Sequence, residues 1–526
     1  GSLLVALSPN LFSAVTRGLS YVGEGRDFGA YQLQAFGLAL KVLFVPTVLL
    51  GVVFPYLLKE SEGHARNVGG TVGTLLAVNT LGAIVGSLVA GFVLLETVGL
   101  WGGIRCLAAL GFLGVVIAAP PANRRVLIPV SVALAVICLV PFAQPPRLKV
   151  DPAREKVLQV WEGSSGITAV IEDDGGRRTK VNNHYTLGGS GAAETERRQG
   201  LLPLLLHPHP EAVFYLGLGT GITAGGAMGD PVPRQVTVCE VVPDAVAASR
   251  AYFGDYTRGL FEDPRTRILV EDGRTVLRGT SERYDVVVAD LFVPWQAGEG
   301  TLYSQELYQT IRQRLGEDGL FAQWLPLYQM SRREFEIVAR TMLSVFPQVT
   351  LWRADFSGGK ATLALVGSAK PGSIYPEILR ERLLEVEDAQ PLVALGDSAR
   401  ASVPAFLLGY CGNLTEGREL IGDGPVATDD QPLIEYLAPI THRRVGVKKA
   451  TWFAGQELMD FLETLQERIP PQQDPVLGNF TAKEQGYVRA GLLVHQGRVF
   501  REAGKTEEAD RIRRELVDLL ASLSRM

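Results

Sequence analysis

The sequence predicts an α/β protein: a parallel sheet with helices on both faces, preceded by β-hairpins and an N-terminal α-helical transmembrane domain, and followed by a helical C-terminal tail. Three observations predict it. Apolar runs crowd the first 145 positions, strand-like and helix-like segments alternate from Ala212 onward, and the residues after about Ala450 read as helix.

The apolar runs are Leu33–Leu58, Val68–Leu95, Leu100–Ala119 and Val126–Phe142. Most are roughly 20 residues long, the length that crosses a hydrocarbon core as helix. Leu3–Val22 is a weaker candidate because it carries Pro9, Asn10 and Arg17. These runs lift the mean hydropathy to +0.15. In "VGGTVGTLLAVNTLGAIVGSLVAGFVLL", Gly82, Gly86 and Gly91 with Ala83 and Ala90 offer small surfaces for close helix packing. Asn79 is expected to donate a hydrogen bond between helices, and Glu96 to sit at a helix end near water. Lys59, Arg66, Arg124 and Arg125 on one side balance Arg26, Arg147, Lys149, Arg154 and Lys156 on the other, so charge sets no orientation. The chain opens Gly1-Ser2 without an initiator Met and reads as a fragment, with further helices expected upstream.

Pro141, Pro145, Pro146 and Pro152 mark a linker. Val157 to Thr186 is strand-like, with a hairpin turn at "DDGGRR". The alternation follows: "AVFYLGLG", a helix, "QVTVCEV", a helix from Pro243, "RILVEDG", a short helix, "YDVVVADLF", a helix from Ser304, and "GLFAQWL". Such alternation means a parallel sheet covered on both faces. "QVTLWRAD" and "KATLALVGS" are expected as two antiparallel closing strands, and Tyr487–Ala503 with Thr506–Leu523 as a single helical hairpin rather than a repeat array. The expected division is 1–145 transmembrane, 146–210 linker and hairpins, 211–370 the α/β domain, 371–449 an accessory segment and 450–526 helical.

A net charge of −5 makes no case for nucleic acid. The four cysteines, Cys106, Cys138, Cys239 and Cys411, have no CxxC or Cys/His spacing. Neither a disulfide framework nor a zinc site is expected, and a reducing compartment fits.

In an open parallel sheet, ligands bind where the strands' carboxyl ends meet loops. Four strand ends carry candidates. Gly217, Gly219 and Gly221 form a turn whose glycines allow sharp bending and close ligand approach. The run Gly219-Thr220-Gly221-Ile-Thr-Ala224 also satisfies a loose dinucleotide pattern. Glu240, about 20 residues on, stands where an acid accepts hydrogen bonds from ribose hydroxyls, which serves NAD and S-adenosyl ligands equally. Asp272 and Gly273 end the third strand, where a carboxylate takes an adenine amino group; this shifts the reading toward S-adenosyl ligands. Asp290 emerges from the fourth strand at the crevice, where a carboxylate can position an amine and accept its proton.

Together "LLPLLLHPHPEAVFYLGLGTG", "CEVVPDAV", "DPRTRILVEDG", "YDVVVADL" and "LYSQELYQTIRQRLGEDGLFAQW" resemble the spermidine synthase (polyamine aminopropyltransferase) family in order and spacing, over roughly Val157 to Tyr328. "NTLGAIVGSLVAGFVLL" and "TDDQPLIEY" resemble its membrane-fused branch, the fused MFS/spermidine synthases. The resemblance implies a Rossmann-like domain that binds decarboxylated S-adenosylmethionine or S-adenosylmethionine as co-substrate, needs no metal, and transfers an aminopropyl group to an amine. Asp290 would deprotonate the amine. Glu240 would hold the ribose, Asp272 and Gly273 the adenine, and Gly217, Gly219 and Gly221 would face the sulfonium chain. Tyr303 would close the pocket, with Tyr185 in "VNNHYTLGG" as a further substrate contact. Two positions depart from the pattern: Thr220 replaces the acid of the glycine turn, and Val293 replaces a second acid after the catalytic one. These departures keep open a methyltransferase or other S-adenosyl transferase, and, ranked lower, a transporter or nucleoside-sensing membrane protein. The partners expected are an amine acceptor, the lipid bilayer and a second copy of the chain. The chain is expected in a bacterial inner membrane with its soluble domain in the cytoplasm, where the donor is made.

Overall fold

The computed structural model describes the chain outside residues 19–24, 63–67, 119–122, 140–147, 164, 184 and 387–401. Pro141, Pro145 and Pro146 of the expected linker lie outside the described residues. The chain forms two compact units, Gly1–Asp173 with Lys180–Tyr185, and Asp174–Thr179 with Thr186–Met526.

The first unit opens with helices α1 (Ser2–Val15), α2 (Phe28–Gly51), α3 (Val53–Glu62), α4 (Val68–Val89), α5 (Leu95–Ala118) and α6 (Arg124–Leu139). Asp27 caps α2 by accepting from the Ala30 amide at 3.1 Å. Two helical stretches, Phe28–Glu60 and Val68–Ile117, are long and apolar enough to cross a bilayer. The second joins the runs expected as separate spans. They are linked through a π-helical turn at Ala90–Leu94 and a break at Gly99 (φ 68°, ψ −179°). Only glycine fits there, since a Cβ would strike the Glu162 carboxylate, which accepts from the Leu100 amide at 3.2 Å. Helix α4 buries none of its residues, Asn79 included, and Phe92 and Ile117 are 76% and 82% exposed.

Strands β1 (Lys156–Gly163), β2 (Gly166–Asp173), β3 (Gly176–Val181) and β4 (Tyr185–Gly189) form a four-stranded sheet in chain order, with β1 and β2 antiparallel.

The second unit continues with α7 (Ala193–Leu206), β5 (Ala212–Leu216), α8 (Ile222–Gly225), β6 (Gln235–Glu240), α9 (Pro243–Tyr252), β7 (Thr266–Val270), α10 (Gly273–Gly279), β8 (Tyr284–Ala289), α11 (Gln305–Arg314), β9 (Leu315–Pro326), α12 (Arg332–Leu343), β10 (Gln348–Trp352), β11 (Thr362–Ser368), α13 (Pro376–Glu385), α14 (Val403–Leu407), β12 (Tyr410–Asn413), α15 (Leu433–Gly446), α16 (Gly455–Arg468), α17 (Ala482–Glu502) and α18 (Thr506–Arg525). Its sheet has the order β12-β10-β11-β9-β8-β5-β6-β7. Strands β5 to β9 run parallel, while β10, β11 and β12 are antiparallel to their neighbours. The expected parallel sheet is therefore a mixed one. It has the two closing strands read from the sequence and a third, β12, contributed from within the segment expected to be accessory.

Alternate residues of the central strands serve opposite faces, as the pleat requires. Phe214, Val287 and Phe321 enter one core, and Val213, Tyr215, Val286 and Val288 the other. Both sets are essentially inaccessible to water, which is why these strands read as continuous apolar runs. Asp230, after the glycine-rich segment, pairs with Arg382 of α13 in a fully buried bidentate ion pair, Nη1 to Oδ1 at 2.9 Å. Helix α17 starts with a capping box between Thr481 and Glu484 and pairs with α18, the expected C-terminal hairpin.

Candidate active site

Strands β5, β6, β7 and β8 present their carboxyl ends together. At the end of β5 the backbone turns through Gly217 (φ 97°), Gly219 (φ 54°) and Gly221 (φ 78°), all in the region that favours glycine. A Cβ on Gly219 would approach the Leu187 carbonyl to 3.0 Å, and one on Gly221 would meet Ser249 Oγ at 2.7 Å. The small-residue helix expected after the turn is only one turn long, α8, followed by a 3₁₀ segment, Gly226–Gly229. Paired glycines at 225 and 226 carry the highest backbone entropy cost in a helix, which shortens it.

Glu240 ends β6 and organises the turn. Its Oε2 accepts from the amides of Leu218 (3.1 Å) and Gly219 (3.2 Å), and its Oε1 from the Val242 amide (2.9 Å). A carboxylate offers about four lone-pair positions, so room remains for one further donor. Asp272 caps α10, accepting from the Arg274 amide at 2.9 Å and the Thr275 hydroxyl at 3.3 Å, and is exposed. Gly273 lies buried against Leu216, where a Cβ would collide with the Leu216 side chain.

Asp290 follows β8, half-buried. Its Oδ1 accepts from the Leu291 amide at 2.7 Å, and the Thr223 hydroxyl donates to it as well. Burial pushes its carboxyl above the usual range, and the two hydrogen bonds offset only part of this. Tyr303 is fully buried and donates its hydroxyl to the Phe292 carbonyl at 3.2 Å, which fixes the loop beyond Asp290 from below. Tyr185 opens β4; its side chain lies outside the described residues.

Two acids that the sequence did not single out also stand here. Glu196, on the first turn of α7, accepts from the Thr220 hydroxyl at 2.8 Å and from the Gly189 amide at 3.0 Å. Burial raises its carboxyl to about 7, with the nearby Asp290 charge adding to the rise. Glu299, in the loop after β8, is likewise raised to about 7, chiefly by burial and then by the Glu240 charge; the Val293 amide donates to it. Its Oε2 has no hydrogen-bond partner among the described residues. In "ETERRQG" Glu196 has the look of a solvated helix start, and "GEGTLY" reads as plain loop.

The segment "TDDQPLIEY" clamps this loop. Asp429 pairs at 2.6 Å with Arg274 of α10, which donates to the Thr301 carbonyl of the loop at 2.8 Å, and Glu435 accepts from the amides of Gly298 (2.8 Å) and Gly300 (2.9 Å). Among the described residues no group of three His, Cys, Asp or Glu side chains is placed to hold a metal ion.

A glycine turn, an acid at the end of the next strand and a carboxyl at the end of the fourth are the arrangement of a Rossmann-like domain. More particularly, residues 200–354 match the spermine/spermidine synthase domain. Over 186 residues the chain is 28% identical to a polyamine aminopropyltransferase of Pyrobaculum calidifontis, covering 34% of this chain and 64% of that protein. Over 148 residues it is 30% identical to that of Thermotoga petrophila, covering 28% and 49%. It is 31% identical over 153 residues to polyamine aminopropyltransferase 2 of Pseudomonas aeruginosa, covering 29% and 44%. The chain thus spans about half to just under two thirds of the length of these relatives. Among solved structures it is similar to spermidine synthase from Thermotoga maritima (TM-score 0.39, 18% identity, 48% of this chain and 84% of that one). A probable spermidine synthase from Corynebacterium glutamicum is also similar (0.37, 17%, 52% and 97%).

Proposed function

We propose that the chain is a membrane-anchored aminopropyltransferase that uses decarboxylated S-adenosylmethionine and an amine acceptor. The observation that carries the reading is Asp290: a half-buried carboxyl, raised by burial, at the end of β8 beside the glycine turn and inside the matched domain. In the proposed step the acceptor nitrogen attacks the methylene carbon next to the sulfonium sulfur. The carbon–sulfur pair passes to sulfur, neutral methylthioadenosine leaves, and the nitrogen's proton goes to Asp290. A raised carboxyl is a stronger base than an ordinary aspartate, which suits that transfer. The sulfonium is already a good leaving group, so alignment and a neutral amine are the main demands on the protein.

Glu240 would hold the ribose through its remaining acceptor capacity, and Asp272 with Gly273 would receive the adenine. Gly217, Gly219, Thr220 and Gly221 would line the sulfonium chain, and Tyr303 would bound the substrate side. The apolar stretches Phe28–Glu60 and Val68–Ile117 support the anchor, because exposing side chains such as Phe92 to water costs about 2 kcal/mol each.

The test incubates the full chain with decarboxylated S-adenosylmethionine and a panel of amines and identifies products by mass spectrometry. Methylthioadenosine release, lost in Asp290→Asn, is expected. No methylthioadenosine with any amine ends the reading, and release of S-adenosylhomocysteine from the carboxylated donor would replace it with methyl transfer.

A further inference from the structure

We propose that the solvent face of α15, with the basic turn that follows it, is a docking surface for an anionic lipid bilayer. The surface lies outside the crevice, and the inference stands or falls without the transferase reading.

Charge along the chain is the first observation. Between Glu435 and Glu457 the sequence holds His442, Arg443, Arg444, Lys448 and Lys449 and not one Asp or Glu. The whole chain has a net charge of −5, so this run departs in sign from its surroundings.

Helix α15 then sorts its residues by face. Ile434 and Ala438 are fully buried, and Thr441, on the same side, donates its hydroxyl to Glu334 of α12. The opposite side carries Tyr436, Pro439, Ile440 and Arg443, at the three- and four-residue spacing of one helix face. Tyr436 is 68% exposed, and among the described residues after position 150 only it and Tyr375 are aromatic side chains more than half exposed. The solvent face of a helix in a soluble protein is normally charged and polar. This one is aromatic, aliphatic and cationic, the composition of a helix that lies in the headgroup layer.

The acids packed around the patch are engaged elsewhere. Glu435 accepts the Gly298 and Gly300 amides, and Glu334 the Ser331 amide and the Thr441 hydroxyl. Glu336 pairs with Arg332 at 2.9 Å, and Glu457 takes the Thr451 hydroxyl at 3.5 Å. Arg444 and Lys448 are exposed, and neither makes an ion pair among the described residues. The patch is also firmly seated. Trp295, His442 and Trp452 form a row with ring centroids 4.5 Å and 6.0 Å apart, which ties the end of α15 to the loop after β8.

The charge selects the occupant. A second copy docked on this face would set its own cations against these, and like charge repels. Anionic headgroups complement the cations, and a tyrosine ring suits the headgroup level of a bilayer. The stretches Phe28–Glu60 and Val68–Ile117, long and apolar enough to cross a bilayer, are a separate reason for lipid to be within reach of the chain. Each cation at an anionic surface contributes about fivefold, so the four Arg and Lys side chains give a preference of about 10²–10³-fold over neutral lipid, and salt screens it.

The experiment places the full chain in nanodiscs of phosphatidylcholine, alone or mixed with phosphatidylglycerol, and follows amide hydrogen exchange. Exchange at residues 436–452 is expected to be about fivefold slower in the anionic discs, and raised salt is expected to erase the difference. Arg444→Glu combined with Lys448→Glu is expected to abolish it, with Tm and exchange in the central strands unchanged. Arg444→Gln combined with Lys448→Gln is expected to give an intermediate loss, and it carries the test if the charge reversal disturbs folding. Equal exchange in the two kinds of disc, or slowing that survives both high salt and the charge reversal, overturns the proposal. Slowing in neutral discs that grows with the number of chains per disc assigns the face to a second copy and overturns it too. If the chain does not enter discs, preformed vesicles of the same two compositions decide by the same comparison.

Discussion

The part of the crevice around Glu240 and Asp272 and the part around Asp290 and Glu196 are held by different kinds of partner. Glu240 receives three backbone amides, and Asp272 caps the helix that follows it. Asp290 and Glu196 each receive one amide and one threonine hydroxyl, and each is pushed up by burial, with the Asp290 charge adding to the rise at Glu196. Glu240 is oriented by backbone amides, and Asp272 by the amide and the Thr275 hydroxyl of the helix it caps. Asp290 and Glu196 are oriented by threonines of the glycine-turn segment, distant in sequence, and coupled by charge, so they respond to each other, to pH and to a bound cation. Under the proposed function a nucleoside needs fixed acceptors and an amine in transit between charge states needs responsive ones, and the two halves suit those demands.

Asp290→Asn gives the sharpest contrast. Removing the proton acceptor is expected to cost about 10²–10⁴-fold in kcat, with methylthioadenosine affinity nearly unchanged. A comparable loss of nucleoside affinity would erase the division between the halves. Glu240→Ala comes next. It leaves three amides without their acceptor, at about 1–3 kcal/mol, so Tm falls together with nucleoside affinity. Nucleoside binding at wild-type strength would remove Glu240 from the site.

Thr220→Val tests the other half more gently. Loss of one hydrogen bond costs about 1 kcal/mol, and the effect should fall on the donor and spare methylthioadenosine in paired titrations. Asp272→Asn is the smallest change. Asparagine caps as well as aspartate, so Tm should hold to within the equivalent of about 0.5 kcal/mol, and a drop in adenine-nucleoside affinity alone would report the ligand contact. A large fall in Tm would mean that Asp272 serves the fold beyond its cap.

Much of this was legible in the chain because it is written locally. Glu240, Asp272 and Asp290 each close a short apolar run, and a buried parallel strand must end where its polar residue meets the crevice. Strands β10 and β11 carry the same signature. Strand β12 does not: "YCGN" is four residues with a glycine at φ 146°, too short and irregular to show a period. The apolar runs Val68–Leu95 and Leu100–Ala119 were separable by composition, yet nothing in composition distinguishes a loop from the π turn and glycine break that join them. Glu299 was hidden in a glycine-rich loop, and what marks it is its burial and its neighbour Glu240, neither of which is a sequence property.

The sequence by itself determined the alternation of strands and helices, the apolar N-terminal stretches and the acids at three strand ends, because hydrophobic period and turn chemistry act within a few residues. Only the tertiary structure decided the order of the mixed sheet, the clamp of Asp429 and Glu435 on the loop after β8, and the arrival of Glu196 at Thr220, 24 positions away. That last contact depends on how closely α7 can lie on the glycine turn. The approach is set by backbone meeting backbone at Gly200 and Gly226, a condition that belongs to two packed surfaces and to neither segment alone.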